Sequence, residues 1–218
     1  MRESEKKVAR AFIQARMSSR RFPGKVLAPF KGRPVIHHLI SQVKEVIPSN
    51  QVVVATSTDP TDDPLACYVQ QLGISVFRGP LDNVFERFKQ CLKKYPCDWF
   101  FRLCGDSPLL DKALLRAMLT YCDKSDIDLV TNVYPRTFPK GRSLELLKAE
   151  PFSGIDSNHL SDEEKEHLTK AYYNHPETFR ILNLTASDAS LAKADLAIDT
   201  VEDLLRLETF PEKVGGPL

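Results

Sequence analysis

The chain has 218 residues, of which 30 are Lys or Arg and 29 are Asp or Glu, with hydrophobic residues at 42% and charged residues at 27%. That length carries one sizeable core; the even balance of charge leaves no global field for nucleic acid or an anionic membrane, and no apolar run approaches the ~18 residues of a helical span. Cys67, Cys91, Cys97, Cys104 and Cys122 contain no C-x-x-C pair and read as free thiols rather than as a disulfide framework or a zinc site. The opening MRESEKKVARAF is charged and lacks the apolar centre of a signal peptide, so a cytoplasmic location is expected.

In chain order, VARAFIQ (8–14) reads as a strand. PVIHHLISQVKEVI (34–47) places Val35, Ile36, Leu39, Ile40, Val43 and Ile47 on one helical face, with Pro34 near its start. His37 and His38, adjacent in that helix, cannot chelate together. The β-branched run QVVVAT (51–56) predicts a buried strand, and TDDPLACYVQQLG (61–73) a helix that stops at Gly73. SVF (75–77) is a short strand, LDNVFERFKQCLKKY (81–95) an amphipathic helix, and DWFFRLC (98–104) a strand. LLDKALLRAMLTYC (109–122) predicts a helix and IDLVT (127–131) a strand. Strand and helix thus alternate, the pattern of a mostly parallel sheet covered on both faces.

Beyond about residue 132 the rhythm breaks, and an irregular insertion is expected over 133–178. Within it, SDEEKEHLTKAYYN (161–174) predicts one helix, with Ser161 and Glu164 forming a capping box. TFRILNLT (178–185) alternates as a strand, and LAIDTVEDLLRLETF gives a short strand ending at Asp199, then a last helix. The expectation is one α/β domain over 1–218.

The loop after the first strand holds Arg16, Arg20, Arg21 and Lys25 within ten residues, with Ser18, Ser19 and Gly24 among them. In an open α/β sheet, ligands bind beyond the carboxyl ends of the strands. Arg16, Arg20 and Lys25 there could grip a polyphosphate; the alternative is a solvated basic loop. Neither G-x-x-x-x-G-K-[ST] nor G-x-G-x-x-G occurs, so side-chain cations rather than glycines would do the gripping. A triphosphate brings Mg²⁺, which needs carboxylates. Asp106 and Asp199 each follow a strand-like run and precede a helix, where they could converge on one ion; helix capping is the alternative for each. Arg102 shares strand parity with Asp106 and could face the same cleft. Asp126-x-Asp128 precedes a strand and reads as a loop.

IQARMSSRRFPGKVL resembles the I-x-A-R-x-x-S-x-R-x-P-G-K signature of the CMP-sugar synthetases, the acylneuraminate and KDO cytidylyltransferases. RGPLDNVFERF, FRLCGDSPLLD, TNVYPRTFPKG, KEHLT and AIDTVEDL follow in the order seen in the spore-coat polysaccharide SpsF-like branch, so the resemblance covers about 12–207. It implies a Rossmann-like, GT-A-type nucleotidyltransferase fold, Mg²⁺, a cytoplasmic homodimer, and transfer of CMP from CTP to a sugar hydroxyl. Carried over by position, Gln14, Ala15, Arg16, Ser18, Arg20 and Lys25 would bind nucleotide. Ala55, Thr56 and Ser57 would border the cytosine, with Arg78, Asp82 and Arg102 nearby. Arg16, Lys25, Asp106 and Asp199 would be catalytic, with the two aspartates on the metal. Arg136, Glu145, Glu166 and His167 would face the acceptor. One departure stands out: where relatives read P-x-G-L-D-V-E, this chain has PKGRSLE, with Arg142 and Ser143 off-pattern. The acceptor therefore stays open, and so do two rival readings: a GT-A-type glycosyltransferase using a sugar nucleotide, and a non-catalytic nucleotide-binding module.

Overall fold

The computed structural model describes residues 7–210; most of the charged N-terminal segment and the last eight residues lie outside the described residues. β1 (Ala9–Gln14) leads into the basic loop, which ends in a 3₁₀ turn at Lys25–Leu27. A small hairpin of β2 (Pro29–Phe30) and β3 (Arg33–Pro34) precedes α1 (Val35–Lys44). Then come β4 (Val52–Ser57), α2 (Asp63–Gln71), β5 (Ser75–Gly79), α3 (Val84–Lys94), β6 (Trp99–Cys104), α4 (Lys112–Leu119) and β7 (Leu129–Thr131). The chain finishes through β8 (Glu145–Lys148), α5 (Ala149–Gly154), α6 (Asp162–Glu166), α7 (Lys170–Tyr173), β9 (Ile181–Asn183) and α8 (Val201–Glu208).

Seven strands form one sheet in the order β5-β4-β1-β6-β8-β7-β9. Only β8 runs against its neighbours; the other pairings are parallel. The strand period of two sorts the core. Ala11, Ile13, Phe101 and Leu103 face α1, α2 and α4, whereas Phe12 and Phe100 pack with Phe85, Phe88 and Phe152 of α3 and α5. The mostly parallel α/β fold with two covered faces is therefore the one the alternation predicts.

Three local expectations are corrected. The stretch 133–178 is not wholly irregular, because β8 inserts between β6 and β7. Leu144, Glu145, Leu146 and Leu147 are all buried, so no polar alternation marks the strand. The expected helix 161–174 starts with its capping box but ends at Glu166; His167 leaves helical geometry at φ −115°, ψ 75°. That break turns Leu168 wholly into the core before α7 begins. Finally, 196–198 is not a strand of the sheet. Leu196 N donates to Lys140 O (2.8 Å), and Ile198 N donates to Asp106 O (2.9 Å), so two different segments tether it. Its apolar side chains pack on Phe30, Val35 and Leu207 instead. Gly141 makes this possible: at φ +86°, a Cβ there would lie 2.4 Å from the Leu196 carbonyl carbon.

Candidate active site

The carboxyl ends of β1, β4, β6 and β7 share one edge with the start of β8. The basic loop is moored to that edge by Asp62, a residue to which the sequence reading gave no site role. Fully buried, its carboxylate accepts from Met17 N (2.6 Å), Thr56 Oγ1 (2.8 Å), Ser57 N (3.0 Å) and Ser57 Oγ. Gly105 closes the other side. Its N–H donates to Gln14 O (2.8 Å), and a Cβ would stand 2.8 Å from that of Ala15. A larger residue would push β6 off the loop and carry Asp106 away with it.

Asp106 and Asp199, 93 positions apart, meet through Lys25. Its ammonium donates to Asp106 Oδ2 at 2.6 Å and to Asp199 Oδ1 at 2.9 Å, which caps the separation of those two oxygens at about 5.5 Å. Lys140 Nζ (2.8 Å) and Arg21 Nη2 (2.9 Å) reach the other oxygen of Asp199. Burial works against the Asp199 charge, yet the hydrogen bonds from Lys140 and Lys25 hold its carboxyl well below the usual range. Burial likewise opposes the Lys25 charge, and the two aspartates overcome it, raising the lysine. Neither aspartate caps a helix: Thr200 caps α8 and Asp111 caps α4. With capping assigned elsewhere, both carboxylates are held by cations, and a neighbouring Ser107 hydroxyl donates to Asp106.

The pair suits a hard divalent cation. Its donors are two carboxylates gathered close together, with nearest oxygens no more than about 5.5 Å apart. Among the described residues no group of three or more His, Cys, Asp or Glu is placed to hold a metal, so remaining ligands would come from phosphate and water.

A cavity of about 320 Å³ opens beside the cluster, lined by Gln14, Ala15, Arg16, Arg20, Arg21, Lys25, Arg102, Asp106, Glu166 and His167. A second, of about 480 Å³, shares Arg16, Arg20 and Glu166 and adds Ser18 and Asp82. Arg16 meets Glu166 at 3.2 Å. Cys104 also lines the first cavity, but burial pushes its thiol up to about 11, which rules out a resting thiolate.

Other expected residues lie outside both cavities. Ala55, Thr56 and Ser57 are fully buried, the latter two spent on Asp62. Arg78 clasps Ser57 O and Asp59 O (both 2.8 Å) and pairs with Asp63. Glu145 has both oxygens engaged, by Arg102 Nη1 (2.9 Å) and Tyr173 OH (2.6 Å). Arg136 donates to Ser143 Oγ (3.0 Å). The off-pattern Arg142 lines a different cavity, near Asp111. Asp126-x-Asp128 is no metal motif, since Asp128 is bound to Arg180 through both oxygens. Lys140 was missed, because its partner Asp199 is 59 positions away.

The family model described as cytidylyltransferase matches residues 11–208. The "Spore coat polysaccharide biosynthesis protein SpsF" of Bacillus subtilis is 32% identical over 211 residues, covering 93% of this chain and 86% of that protein. A cytidylyltransferase structure from Leptospira borgpetersenii superposes with a TM-score of 0.86 at 30% identity, covering 92% of this chain and 84% of the other. A CMP:2-keto-3-deoxy-manno-octonic acid synthetase complexed with CTP shares the fold, with a TM-score of 0.70 at 18% identity over 92% and 96% of the two chains.

Proposed function

The chain belongs to the cytidylyltransferase family, and from that premise we propose that it moves CMP from CTP to a hydroxyl of a sugar or sugar acid, for a surface polysaccharide or glycoconjugate. The observation that carries this reading is the Lys25 ammonium held between Asp106 and Asp199 beside a cavity walled by Arg16, Arg20 and Arg21. A cavity so rich in cations, on the loop moored by Asp62, suits a triphosphate.

In this reading Arg16, Arg20 and Lys25 take the triphosphate oxygens and fix the α-phosphorus. The acceptor hydroxyl oxygen bonds to that phosphorus, and the bond to the bridging oxygen of the β-phosphate breaks. Pyrophosphate leaves with the electron pair, and the hydroxyl proton passes to solvent. The protein's contribution is positioning and charge neutralisation. Asp106 and Asp199 are the residues to hold a divalent ion, Mg²⁺ on the resemblance, which when bound offsets charge on the leaving pyrophosphate. Glu166 and His167, which line the same cavity as Asp106, face the acceptor.

The reading includes a single domain over 1–218, a homodimer through the insertion, and a cytoplasmic setting. Free cysteines among the described residues suit a reducing compartment; the dimer rests on the resemblance. No helix among the described residues is long and apolar enough to cross a membrane.

A pyrophosphate-release screen tests the activity: CTP, ATP, UTP and a nucleotide sugar, each with Mg²⁺, against a panel of sugars and sugar acids. Release with CTP and one acceptor class is expected. Turnover of a nucleotide sugar without pyrophosphate would replace the reading with glycosyl transfer.

A further inference from the structure

Three cations converge on Asp199, and one of them also serves Asp106. Arg21 and Lys140 sit on Oδ2 (2.9 and 2.8 Å) and Lys25 on Oδ1 (2.9 Å). Lys140 bonds in addition to Asp195 Oδ2 at 2.8 Å. Three carboxylates thus face three cations. Two aspartates this close repel one another, and these cations offset that repulsion.

The three are not equally committed. The Lys25 side chain is 11% exposed and locked between both aspartates, whereas that of Lys140 is 46% exposed. The Lys140 backbone is pinned, because its N–H donates to Ala194 O (3.1 Å) and its carbonyl accepts from Leu196 N (2.8 Å). Its flexible four-carbon stem is not. Asp195, on the segment so pinned, keeps the ammonium beside Asp199 whether or not Asp199 holds it.

We propose that Lys140 is a further residue of the nucleotide site, an exchangeable counter-ion. It occupies Asp199 Oδ2 in the metal-free protein, yields that oxygen to a divalent cation arriving with the nucleotide, and then turns its charge to the polyphosphate. This rests on the reading of Asp106 and Asp199 as the metal carboxylates. Metal alone meets a site already neutralised; metal carried on CTP brings the anion that draws the lysine away.

The test is Mn²⁺ binding to the full chain by electron paramagnetic resonance, without and with CTP, alongside calorimetric CTP affinity in Mn²⁺. Without CTP, Lys140→Gln should bind Mn²⁺ on the order of tenfold more tightly than wild type, since a unit charge is removed a few ångströms from the site. Lys140→Arg, which keeps the charge, should stay near wild type. With Mn²⁺ present, Lys140→Gln should bind CTP several-fold more weakly. If glutamine costs the fold, Lys140→Met serves instead. Unchanged or weaker Mn²⁺ binding in the uncharged variant, or an equal gain in Lys140→Arg, overturns the inference. Asp199→Asn separates the two levels. If it binds Mn²⁺ with CTP as wild type does, the metal reading itself fails; if it loses that binding and Lys140→Gln shows no gain, only the exchange fails.

Discussion

Two clusters of paired charges sit at the same sheet edge, one on strands and the other on loops. In the first, Arg102 of β6 bonds Glu145 of β8 and Gln14 of β1, and Tyr173 joins Glu145 to Thr131 of β7. The side chains of Arg102 and Glu145 are 13% and 3% exposed, and each Glu145 oxygen has its donor. In the second, Lys25, Arg21 and Lys140 come from the basic loop and the insertion, and Asp106 and Asp199 follow the sheet and the tethered segment. A buried pair on strands fixes backbone positions and cannot trade partners without leaving a charge uncompensated. Loop-borne pairs beside a cavity can trade, because solvent or ligand replaces whatever leaves. Placing both at one edge gives the exchangeable cluster a rigid base.

Breaking each cluster in turn sharpens the contrast. Asp106→Asn should cut turnover by at least about a hundredfold, the range for losing one electrostatic group at a reacting phosphate. Its melting temperature should stay within a few degrees of wild type, since Lys25 keeps Asp199. Pyrophosphate release under saturating CTP and scanning calorimetry read the two effects. A melting temperature that collapsed alongside the rate would erase the distinction.

Glu145→Ala should do the reverse. It strands Arg102 in the interior, a loss of about 3–5 kcal/mol. For a chain of this size that is roughly 10 °C in melting temperature, at about 2–4 °C per kcal/mol. Calorimetry measures it, and CTP affinity assayed well below the transition should fall less than in a Lys25→Ala protein. A Glu145→Ala protein as stable as wild type would mean that water or a neighbour can replace the carboxylate, making the strand cluster as exchangeable as the loop cluster.

Much of this architecture is legible in the chain because its signals are local. The continuous apolar runs at 11–13 and 99–101, and the helical spacing in 35–43, name the elements that carry the sheet. The density of cations at 16–25 marks the loop. What stays hidden depends on contacts distant in sequence. Asp62 looks like one more acid at a helix start until Met17, 45 positions earlier, donates to it. The strand β8 has no polar face to announce it, since Glu145 is buried against two partners, Arg102 of β6 and Tyr173 of α7. The run 196–198 mimics a strand because its apolar residues are needed under α8, not in the sheet. Glu145 is singled out by the resemblance, but only its burial assigns it to the rigid cluster.

The smallest expected effect concerns acid. The Asp199 carboxyl titrates below its unfolded-state value of about 3.9. A group lowered in this way stabilises the fold above that value and loses its contribution as pH falls toward the folded value. Compared with Asp199→Asn, wild type should therefore hold a stability advantage at pH 6 that begins to narrow below about pH 5 and closes further toward pH 3. Urea midpoints measured across that range give the gap directly. Raising salt to about 1 M, where screening acts over roughly 3 Å, should also narrow it at pH 6, because the Lys140 and Arg21 side chains are 46% and 65% exposed. The corresponding gap for Glu145→Ala should respond less to salt, since the Arg102 and Glu145 side chains are far less exposed than those of Lys140 and Arg21. Equal salt responses in the two variants would show that Asp199 is held as tightly as Glu145, and that its cations are not free to exchange.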